Sequence, residues 1–116
     1  ECQEKDLREI LYHLSRNAIQ ALQGKGKLII RTQVSFSTQE EPFAQILIAD
    51  TGPGIPESKL IHLFKPFFTT KPQGIGNGLG LYLTRQLVHR NHGRITASSF
   101  SGSGTTFTLE FPLAKP

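Results

Sequence analysis

The segment QGIGNGLGLYL, residues 73–83, places four glycines at alternate positions and then continues into a leucine-rich amphipathic stretch. A glycine cluster suits a backbone that turns tightly or that lets another group approach closely. That group is commonly phosphate, because a helix N-terminus presents free N–H groups and a partial positive charge. A plain surface turn explains the glycines equally well. The chain has no Gly-Lys-Ser or Gly-Lys-Thr, and a dinucleotide fingerprint would need glycine where Leu79 stands, so both standard phosphate motifs fail.

Other polar residues that could do chemistry lie on the first predicted helix and after a predicted strand. At about 100° per residue, His13, Asn17 and Gln20 fall on one flank beside the apolar face of that helix. Such a stripe is either a solvated boundary or one wall of a pocket, and the helix alone favours the boundary. Asp50 ends an apolar strand, where an aspartate is as often a turn former as a ligand-binding group.

Hydrophobic periodicity and turn residues define the elements that must position these groups. Residues 6–23 are predicted to form a helix, with Asp6 and Glu9 at capping-box spacing and Gly24 ending it. Residues 28–36 alternate between apolar and polar side chains, which predicts a strand with one buried face. The side chains expected on that face are Leu28, Ile30, Val34 and Phe36.

The rest of the chain predicts a sheet with helices on one side. The remaining elements are a strand at 44–50, a short helix at 57–64 with Pro56 near its first turn, a loop at 65–78, a helix from 79 to about 91 that stops near Gly93, and a hairpin of strands at 94–100 and 105–111. Phe107, Leu109 and Phe111 should point to the same side of the last strand. This order predicts an α+β fold, a two-layer α/β sandwich whose mainly antiparallel sheet is covered on one face by helices.

Composition limits the function classes. The 116 residues are 37% hydrophobic, which suits one globular domain with a hydrophobic core. The formal net charge of +4 is dispersed, so nucleic-acid binding is disfavoured and a small anionic ligand is accommodated. No apolar run approaches the ~20 residues that span a bilayer, and no signal peptide is recognisable. The single cysteine, Cys2, favours a reducing cytoplasm, and the absence of methionine predicts a piece of a longer protein.

Four segments resemble, in order and spacing, the motifs of a known family. They are LREILYHLSRNAIQA (7–21), DTGPGIP (50–56), LFKPFFTTK (63–71) and GIGNGLGLYL (74–83). They resemble the N, G1, F and G2 boxes of the ATP-binding catalytic domain of bacterial sensor histidine kinases, in the superfamily shared with DNA gyrase, mismatch-repair ATPases and the heat-shock chaperone. The FFTTK wording is especially similar to nitrogen-regulator-type kinases. The resemblance covers about residues 6–112, including a terminal GSGTTF strand.

The resemblance implies specific roles for individual residues. Asn17 would bind Mg²⁺ through its amide oxygen, and Asp50 would accept a hydrogen bond from the adenine amino group. Asn17 and His13 would occupy the catalytic positions, and residues 69–77 would form a mobile ATP lid. The other cofactor-binding residues that it implies are Gln20, Gly52, Gly54, Ile55, Lys71, Gly74, Gly76, Gly78, Leu79, Gly80 and Thr106.

The chain departs from the family pattern at several of these positions. Many relatives carry Asn at the position of His13 and Lys at the position of Gln20, so Gln20 lacks a phosphate contact that lysine supplies. The run GIGNGLGL has one more glycine-containing step than the commoner GTGLGL, so single glycines are not assigned to single phosphates. Relatives that hydrolyse ATP carry a glutamate one turn before the Mg²⁺ asparagine. Because His13 stands there, we expect ATP binding with little hydrolysis.

We therefore expect residues 1–116 to be the catalytic and ATP-binding domain of a histidine kinase. The domain would be N-terminally incomplete, with a sheet one strand short and without the phosphoacceptor domain, and His62, His89 and His92 would be ordinary histidines. The implied reaction transfers the γ-phosphate of ATP to a histidine on the dimerisation domain of the same protein, with ATP and Mg²⁺ as cofactors.

The implied partners and location follow from the same resemblance. A response regulator receiver domain would be the partner of the full-length kinase, whereas nucleic acid and direct membrane contact are not expected. The expected location is the cytoplasm, with membrane anchoring of the parent protein left open. The alternative function is a regulatory nucleotide-binding module, either a degenerate kinase or an anti-sigma-type switch.

Overall fold

The computed structural model describes residues 2–66, 80–100 and 102–113. In these ranges the helices and strands follow one another in the predicted order. They are α1 (Glu4–Leu22), β1 (Leu28–Phe36), β2 (Pro42–Asp50), α2 (Glu57–Leu60), α3 (Gly80–Arg90), β3 (Arg94–Ser99) and β4 (Thr105–Pro112). Most of the predicted loop at 65–78 lies outside the described residues.

The described strands form one antiparallel sheet in the order β1-β2-β4-β3. The register pairs Ile48 with Phe107 and Ile95 with Leu109. Because side chains alternate along a strand, these residues share the face on which α1 and α3 pack. The buried apolar residues of this layer are Ile10, Leu14, Ile48, Leu63, Val88, Ile95, Phe107, Leu109 and Phe111. The α+β prediction and the predicted inward side of β4 are both confirmed.

A polar cluster around the buried carboxylate of Asp6 joins α1 to α3, and we call its residues Asp6, Arg90 and Asn91 the helix clamp. Asp6 is only 1% exposed. Its carboxylate accepts hydrogen bonds from Arg90 Nε at 3.1 Å and from Asn91 Nδ2 at 2.8 Å. Asn91 Oδ1 accepts in turn from the backbone N–H of Gln3 at 2.9 Å. The hydrogen bond from Arg90, followed by that from Asn91, holds the pKa of Asp6 below its ordinary value.

The predicted capping box of α1 is wrong. The helix begins at Glu4, with Gln3 at the N-cap, so Asp6 lies inside the first turn. Its side chain turns to α3 because a guanidinium there makes paired, charge-assisted hydrogen bonds that a backbone N–H does not match. The other end of the helix agrees with expectation, since Gln23 and Gly24 both have positive φ directly after Leu22.

The predicted buried face of β1 is mostly exposed. The strand has the predicted bounds, but Ile30, Val34 and Phe36 are 51%, 59% and 67% exposed. The physical reason is the position of β1 at the edge of the sheet. Only Leu28, which pairs with Asp50, packs against the core. Alternation predicted which side these residues share, but burial also requires a helix above that side.

The ends of the two remaining helices, α2 and α3, can be compared with the predicted ends. α2 ends at Leu60 rather than at the predicted 64, and the turns that follow keep Leu63 buried. α3 ends at Arg90, and the N–H of Gly93 donates to the carbonyl of Val88 at 2.9 Å, so the predicted stop near Gly93 is confirmed. Within the described ranges, none of the helices is long and apolar enough to cross a membrane.

Candidate nucleotide-binding site

The helix clamp determines how α1 and α3 lie beside each other. It joins the first turn of α1 to the last turn of α3, and the two helices pack against each other. At 1.5 Å per residue, Asn17 lies about 16 Å along α1 from Asp6, and Gly80 lies about 15 Å along α3 from Arg90. Straight helices that continue side by side from this joint would bring Asn17 level with the N-terminus of α3.

The polar stripe on α1 lies on the side of the helix that faces α3. Helical periodicity puts His13, Asn17 and Gln20 within about 60° of Asp6 around the helix axis, and Asp6 bonds to α3. All three residues of the stripe are half-buried. His13 Nε2 lies 3.9 Å from Glu9 Oε1, an i, i+4 contact along the same flank. That the stripe forms one wall of a ligand site stays a prediction.

Asp50, the last residue of β2, is 7% exposed and lies on the helix-facing side of the sheet. Its Oδ1 accepts a hydrogen bond from the N–H of Gly52 at 2.9 Å. The turn lies against the end of α1, because a Cβ at Gly52 would come within 3.2 Å of the carbonyl oxygen of Ala21. A carboxylate has a second oxygen, so Asp50 can accept from one more donor. This acceptor suits an amino group of a ligand and would repel a phosphate.

Two glycines let the G1 loop approach the β3–β4 hairpin. Gly54 and Gly104 have φ of +78° and +87°. A Cβ at Gly54 would overlap the carbonyl of Phe100, and a Cβ at Gly104 would overlap the carbonyl of Asp50. The close approaches that these glycines allow are therefore between segments of the protein itself, and they hold Asp50 in place. Cofactor contacts of Gly52 and Gly54 stay predictions.

Two buried hydroxyl groups that sequence reasoning missed support this loop. Ser99 Oγ accepts from the N–H of Ile55 at 2.7 Å, donates to the carbonyl of Gly104 at 2.8 Å, and lies 2.9 Å from Thr105 Oγ1. Thr105 is the direct pairing partner of Asp50, so both face the helices. The GSGTTF segment was the signal that could have identified Thr105.

Thr106 does not lie on this side of the sheet. It pairs with Ala49 rather than with Asp50. Because side chains alternate, Thr106 projects from the face opposite the helices. The register therefore places Thr105, rather than Thr106, on the side of Asp50, and a cofactor contact of Thr106 stays a prediction.

The N-terminus of α3 is suited to an anion. A Cβ at Gly80 would meet nothing within 4 Å, and the described first turn carries no acidic residue. Thr84 is buried, and its hydroxyl donates to the carbonyl of Gly80 at 2.7 Å. First-turn N–H groups lack helical partners and carry a partial positive charge. The other residues predicted for this segment, Lys71, Gly74, Gly76, Gly78 and Leu79, and the predicted lid at 69–77, lie outside the described residues.

Gln20 contributes a buried oxygen whose hydrogen-bonding capacity is unused. Among the described residues, Oε1 of Gln20 is buried and has no hydrogen-bond partner. An oxygen left in this state costs about 1–3 kcal/mol. A ligand that supplies a donor or a cation at this position would remove that cost.

These residues fit a nucleotide that carries Mg²⁺. Asp50 offers an acceptor for an amino group, α3 offers its positive end to phosphates, and Asn17 and Gln20 offer amide oxygens on the facing flank of α1. Magnesium bound to phosphates needs only one or two protein oxygens. The part of the chain that the structure describes has no group of three or more His, Cys, Asp or Glu that could hold a metal ion.

Comparison with known proteins identifies the family and its relatives. Residues 2–115 match the family described as Histidine kinase-, DNA gyrase B-, and HSP90-like ATPase. The signal transduction histidine-protein kinase AtoS of Escherichia coli K12 is 38% identical over 92% of this chain and 17% of its own length. The sensor histidine kinase TmoS of Ectopseudomonas mendocina is 36% identical over 93% of this chain and 11% of its own length. The chain therefore spans less than a fifth of these relatives.

Solved structures share the fold. The catalytic domain of histidine kinase ThkA, in a nucleotide-free form, has a TM-score of 0.78 and 32% identity, over 97% of this chain and 69% of that one. Full-length ShkA in complex with AMPPNP has a TM-score of 0.77 and 27% identity, over 96% of this chain and 22% of that one. The resemblance inferred from the four boxes is thus confirmed. This chain is a histidine kinase-type catalytic ATPase domain and belongs to the histidine kinase-, DNA gyrase B- and HSP90-like ATPase family.

Proposed function

We propose that this domain binds Mg²⁺-ATP and presents its γ-phosphate to a histidine on the dimerisation domain of the same sensor kinase. The observation that carries the proposal is the placement of Asp50. Its buried carboxylate is held between the end of α1 and the β3–β4 hairpin, with one oxygen bonded to Gly52. The presence of AMPPNP in the ShkA complex, which has the same fold, supports a nucleotide at this site.

Asp50 would select the base. The adenine amino group can donate to the carboxylate, whereas guanine has an oxo group at that ring position. A site built around a buried acceptor rejects a ligand that leaves this acceptor unpaired. Ile55, whose N–H is fixed by Ser99 at 2.7 Å, lies in the same loop and would contact the flat face of the base.

The two helices would position the phosphates. The first turn of α3 would bind phosphate oxygens through its N–H groups, Asn17 would hold Mg²⁺ from the facing flank of α1, and Gln20 would lie near the phosphates. When bound, Mg²⁺ neutralises charge on the phosphate oxygens during transfer. Phosphoryl transfer depends mainly on such positioning, so the domain needs few groups that react chemically.

The acceptor would come from another part of the kinase. An imidazole nitrogen of the dimerisation domain can attack phosphorus without a water-activating base in this domain. His13 would then line the phosphate side of the site rather than activate water. In the full-length kinase, a response regulator receiver domain would next receive the phosphate. The proposed domain comprises residues 1–116.

Phosphate transfer to a supplied dimerisation domain tests the proposal. The purified chain is mixed with radiolabelled ATP, Mg²⁺ and the histidine-containing dimerisation domain of the parent protein. We expect acid-labile label on that domain, and much less label when the chain carries Asp50→Ala. If the chain binds ATP but transfers no label, it is a regulatory nucleotide-binding module. If the chain binds no ATP, the proposed site itself is incorrect.

A further inference from the structure

We propose that the hydroxyl group of Ser99 determines how well the site distinguishes adenine from guanine, because it holds Asp50 and Ile55 in the positions that base selection requires. This inference rests on the proposed function. It identifies Ser99 as a positioning residue, which acts on the base through those two residues.

The hydrogen bonds of Ser99 use the full capacity of its hydroxyl group. A serine hydroxyl has one hydrogen to donate and two lone pairs that accept. The carbonyl of Gly104, 2.8 Å away, can only accept, so it takes the hydrogen. The N–H of Ile55, 2.7 Å away, can only donate, so it occupies one lone pair. Thr105 Oγ1, at 2.9 Å, must therefore donate to the other lone pair.

These three bonds join segments that are separate in the chain. Ser99 ends β3, Ile55 belongs to the G1 loop, and Gly104 and Thr105 lead into β4. Ser99 and Thr105 are 9% and 6% exposed, so water has little access to replace a bond that is lost. Removal of the hydroxyl would leave three groups without this partner, and buried polar groups are rarely left unpaired. The segments should therefore shift when the hydroxyl is removed.

Two of the three partners of Ser99 lie against Asp50. Thr105 is the pairing partner of Asp50 in the sheet. Gly104 approaches so closely that a Cβ there would overlap the carbonyl of Asp50. The third partner, Ile55, would contact the base. A shift caused at Ser99 therefore reaches the groups proposed for the base, whereas the groups proposed for the phosphates and the metal belong to α1 and α3.

The G1 loop has a second link to the same hairpin. The N–H of Gly102 donates to the carbonyl of Pro53 at 2.5 Å. This bond joins two backbone groups, so it does not depend on the side chain of residue 99. We therefore expect Ser99→Ala to fold with the loop still on the hairpin, but with Ile55 and Asp50 displaced.

Competition binding of AMP-PNP and GMP-PNP to the 116-residue chain, with saturating Mg²⁺, tests the inference. The ratio of the two affinities is the base preference. For Ser99→Ala we expect this ratio to fall about three- to tenfold, the scale of one hydrogen bond, with the loss confined to AMP-PNP. The gain in AMP-PNP affinity that Mg²⁺ gives should stay within about twofold. Ser98→Ala is the matched control, because Ser98 is exposed on the opposite face of β3, and it should leave the ratio unchanged.

The possible results separate a positioning role from a purely structural one. In Ser99→Ala, equal losses for both analogues, a loss of the Mg²⁺ gain or an unchanged ratio would each overturn the inference. If that variant fails to fold, Ser99→Cys decides, because a thiol forms only weak hydrogen bonds. A lower ratio in Ser99→Cys supports the inference, and a wild-type ratio overturns it. A wild-type chain that binds neither analogue, or both equally, would instead overturn the proposed function.

Discussion

At the scale of single residues, Asp50 and Asn17 have different roles in the proposed site. Asp50 is a buried acceptor at the end of β2 and would recognise the base. Asn17 is half-buried on the flank of α1 that faces α3 and would hold the metal. Because the two side chains act on different parts of the nucleotide, their substitution should have separable effects on binding.

Base selection is the first effect. Asp50→Ala should weaken ATP binding by about 2–3 kcal/mol, the scale of a hydrogen bond to a charged group. Wild-type protein should bind ATP and ADP far better than GTP, and the variant should lose most of that preference. Calorimetry with the three nucleotides measures both, and thermal unfolding checks that the Gly52 turn survives. Equal affinities of the wild-type protein for ATP and GTP would contradict the role of Asp50.

Metal dependence is the second effect. Asn17→Ala should remove most of the gain in affinity that Mg²⁺ gives to a non-hydrolysable ATP analogue, because a ligand oxygen is lost. Binding of ADP without metal should change much less and serves as the control in the same calorimeter. A variant that kept the full Mg²⁺ gain would show that this flank of α1 does not face the metal.

Packing between elements determines the relative positions of Asp50 and Asn17. The helix clamp holds α1 against α3, and the close approach of Gly54 and Gly104 to neighbouring carbonyls holds the G1 loop against the β3–β4 hairpin. Each contact sets the relative position of groups that would bind the nucleotide. Each contact can be weakened selectively.

The clamp should make stability depend on pH in the acid range. Hydrogen bonds from Arg90 and Asn91 lower the pKa of Asp6 in the folded state. The charged carboxylate therefore stabilises the fold at pH values above the ordinary carboxyl pKa of about 4. That stabilisation is lost as the pH falls through the lowered pKa of the folded state.

Substitution of Asp6 tests this dependence. Asp6→Asn should lower the melting temperature at pH 7 and reduce the loss of stability between pH 7 and pH 3, measured by circular dichroism. Glu4→Gln is the matched control, because Glu4 lies in the same turn but forms only an exposed pair with Arg8. If both variants showed the same change in melting temperature and pH dependence, the hydrogen bonds of Asp6 would not be the cause of the acid sensitivity.

Substitution of two glycines in one hairpin allows the cost of backbone strain to be measured separately from the cost of a packing overlap. Gly102 and Gly104 have similar φ, +84° and +87°, but only a Cβ at Gly104 would overlap a neighbour, the carbonyl of Asp50. Gly102→Ala should lose about 1–2 kcal/mol of unfolding free energy, whereas Gly104→Ala should lose about 1–3 kcal/mol more. Gly104→Ala should also weaken ATP binding because Asp50 must shift. Urea unfolding that gave equal losses would contradict the packing argument.

At the scale of the whole molecule, the chain matches only part of its longer relatives. It spans 17% of AtoS and 11% of TmoS. Strand β1 lies at the edge of the described sheet. It exposes Ile30, Val34 and Phe36 on the face that the helices cover in the other strands. The behaviour of the isolated chain should therefore be binding rather than a complete reaction.

We expect the isolated chain to bind ATP and hydrolyse it slowly. Turnover should lie well below the ~1–100 s⁻¹ typical of kinases, because the proposed nucleophile belongs to another domain. His13 lies on the same flank of α1 as Asn17, and its Nε2 is 3.9 Å from Oε1 of Glu9. It is therefore the residue to substitute in a test for water activation. Phosphate release measures the rate. Hydrolysis at several per second that is lost in His13→Ala would place the chain among the ATPases.

The amino-acid sequence by itself determined the order of the elements, the fold class and the identity of Asn17 and Asp50 as candidate site residues. These features depend on local periodicity and on motifs whose residues lie close together in the chain. The four boxes were sufficient to identify the family, because all four occur together in the order and spacing that the family shows.

Only the tertiary structure decided which side chains those elements bring together. Asp6 bonds to Arg90, 84 positions away, rather than capping its own helix. Register put Thr105 rather than Thr106 on the side of Asp50, and edge position left the apolar side of β1 exposed. The unused oxygen of Gln20 likewise emerged only from burial. The physical reason is common to all four: burial and pairing depend on distant segments, whose relative position local propensity does not specify.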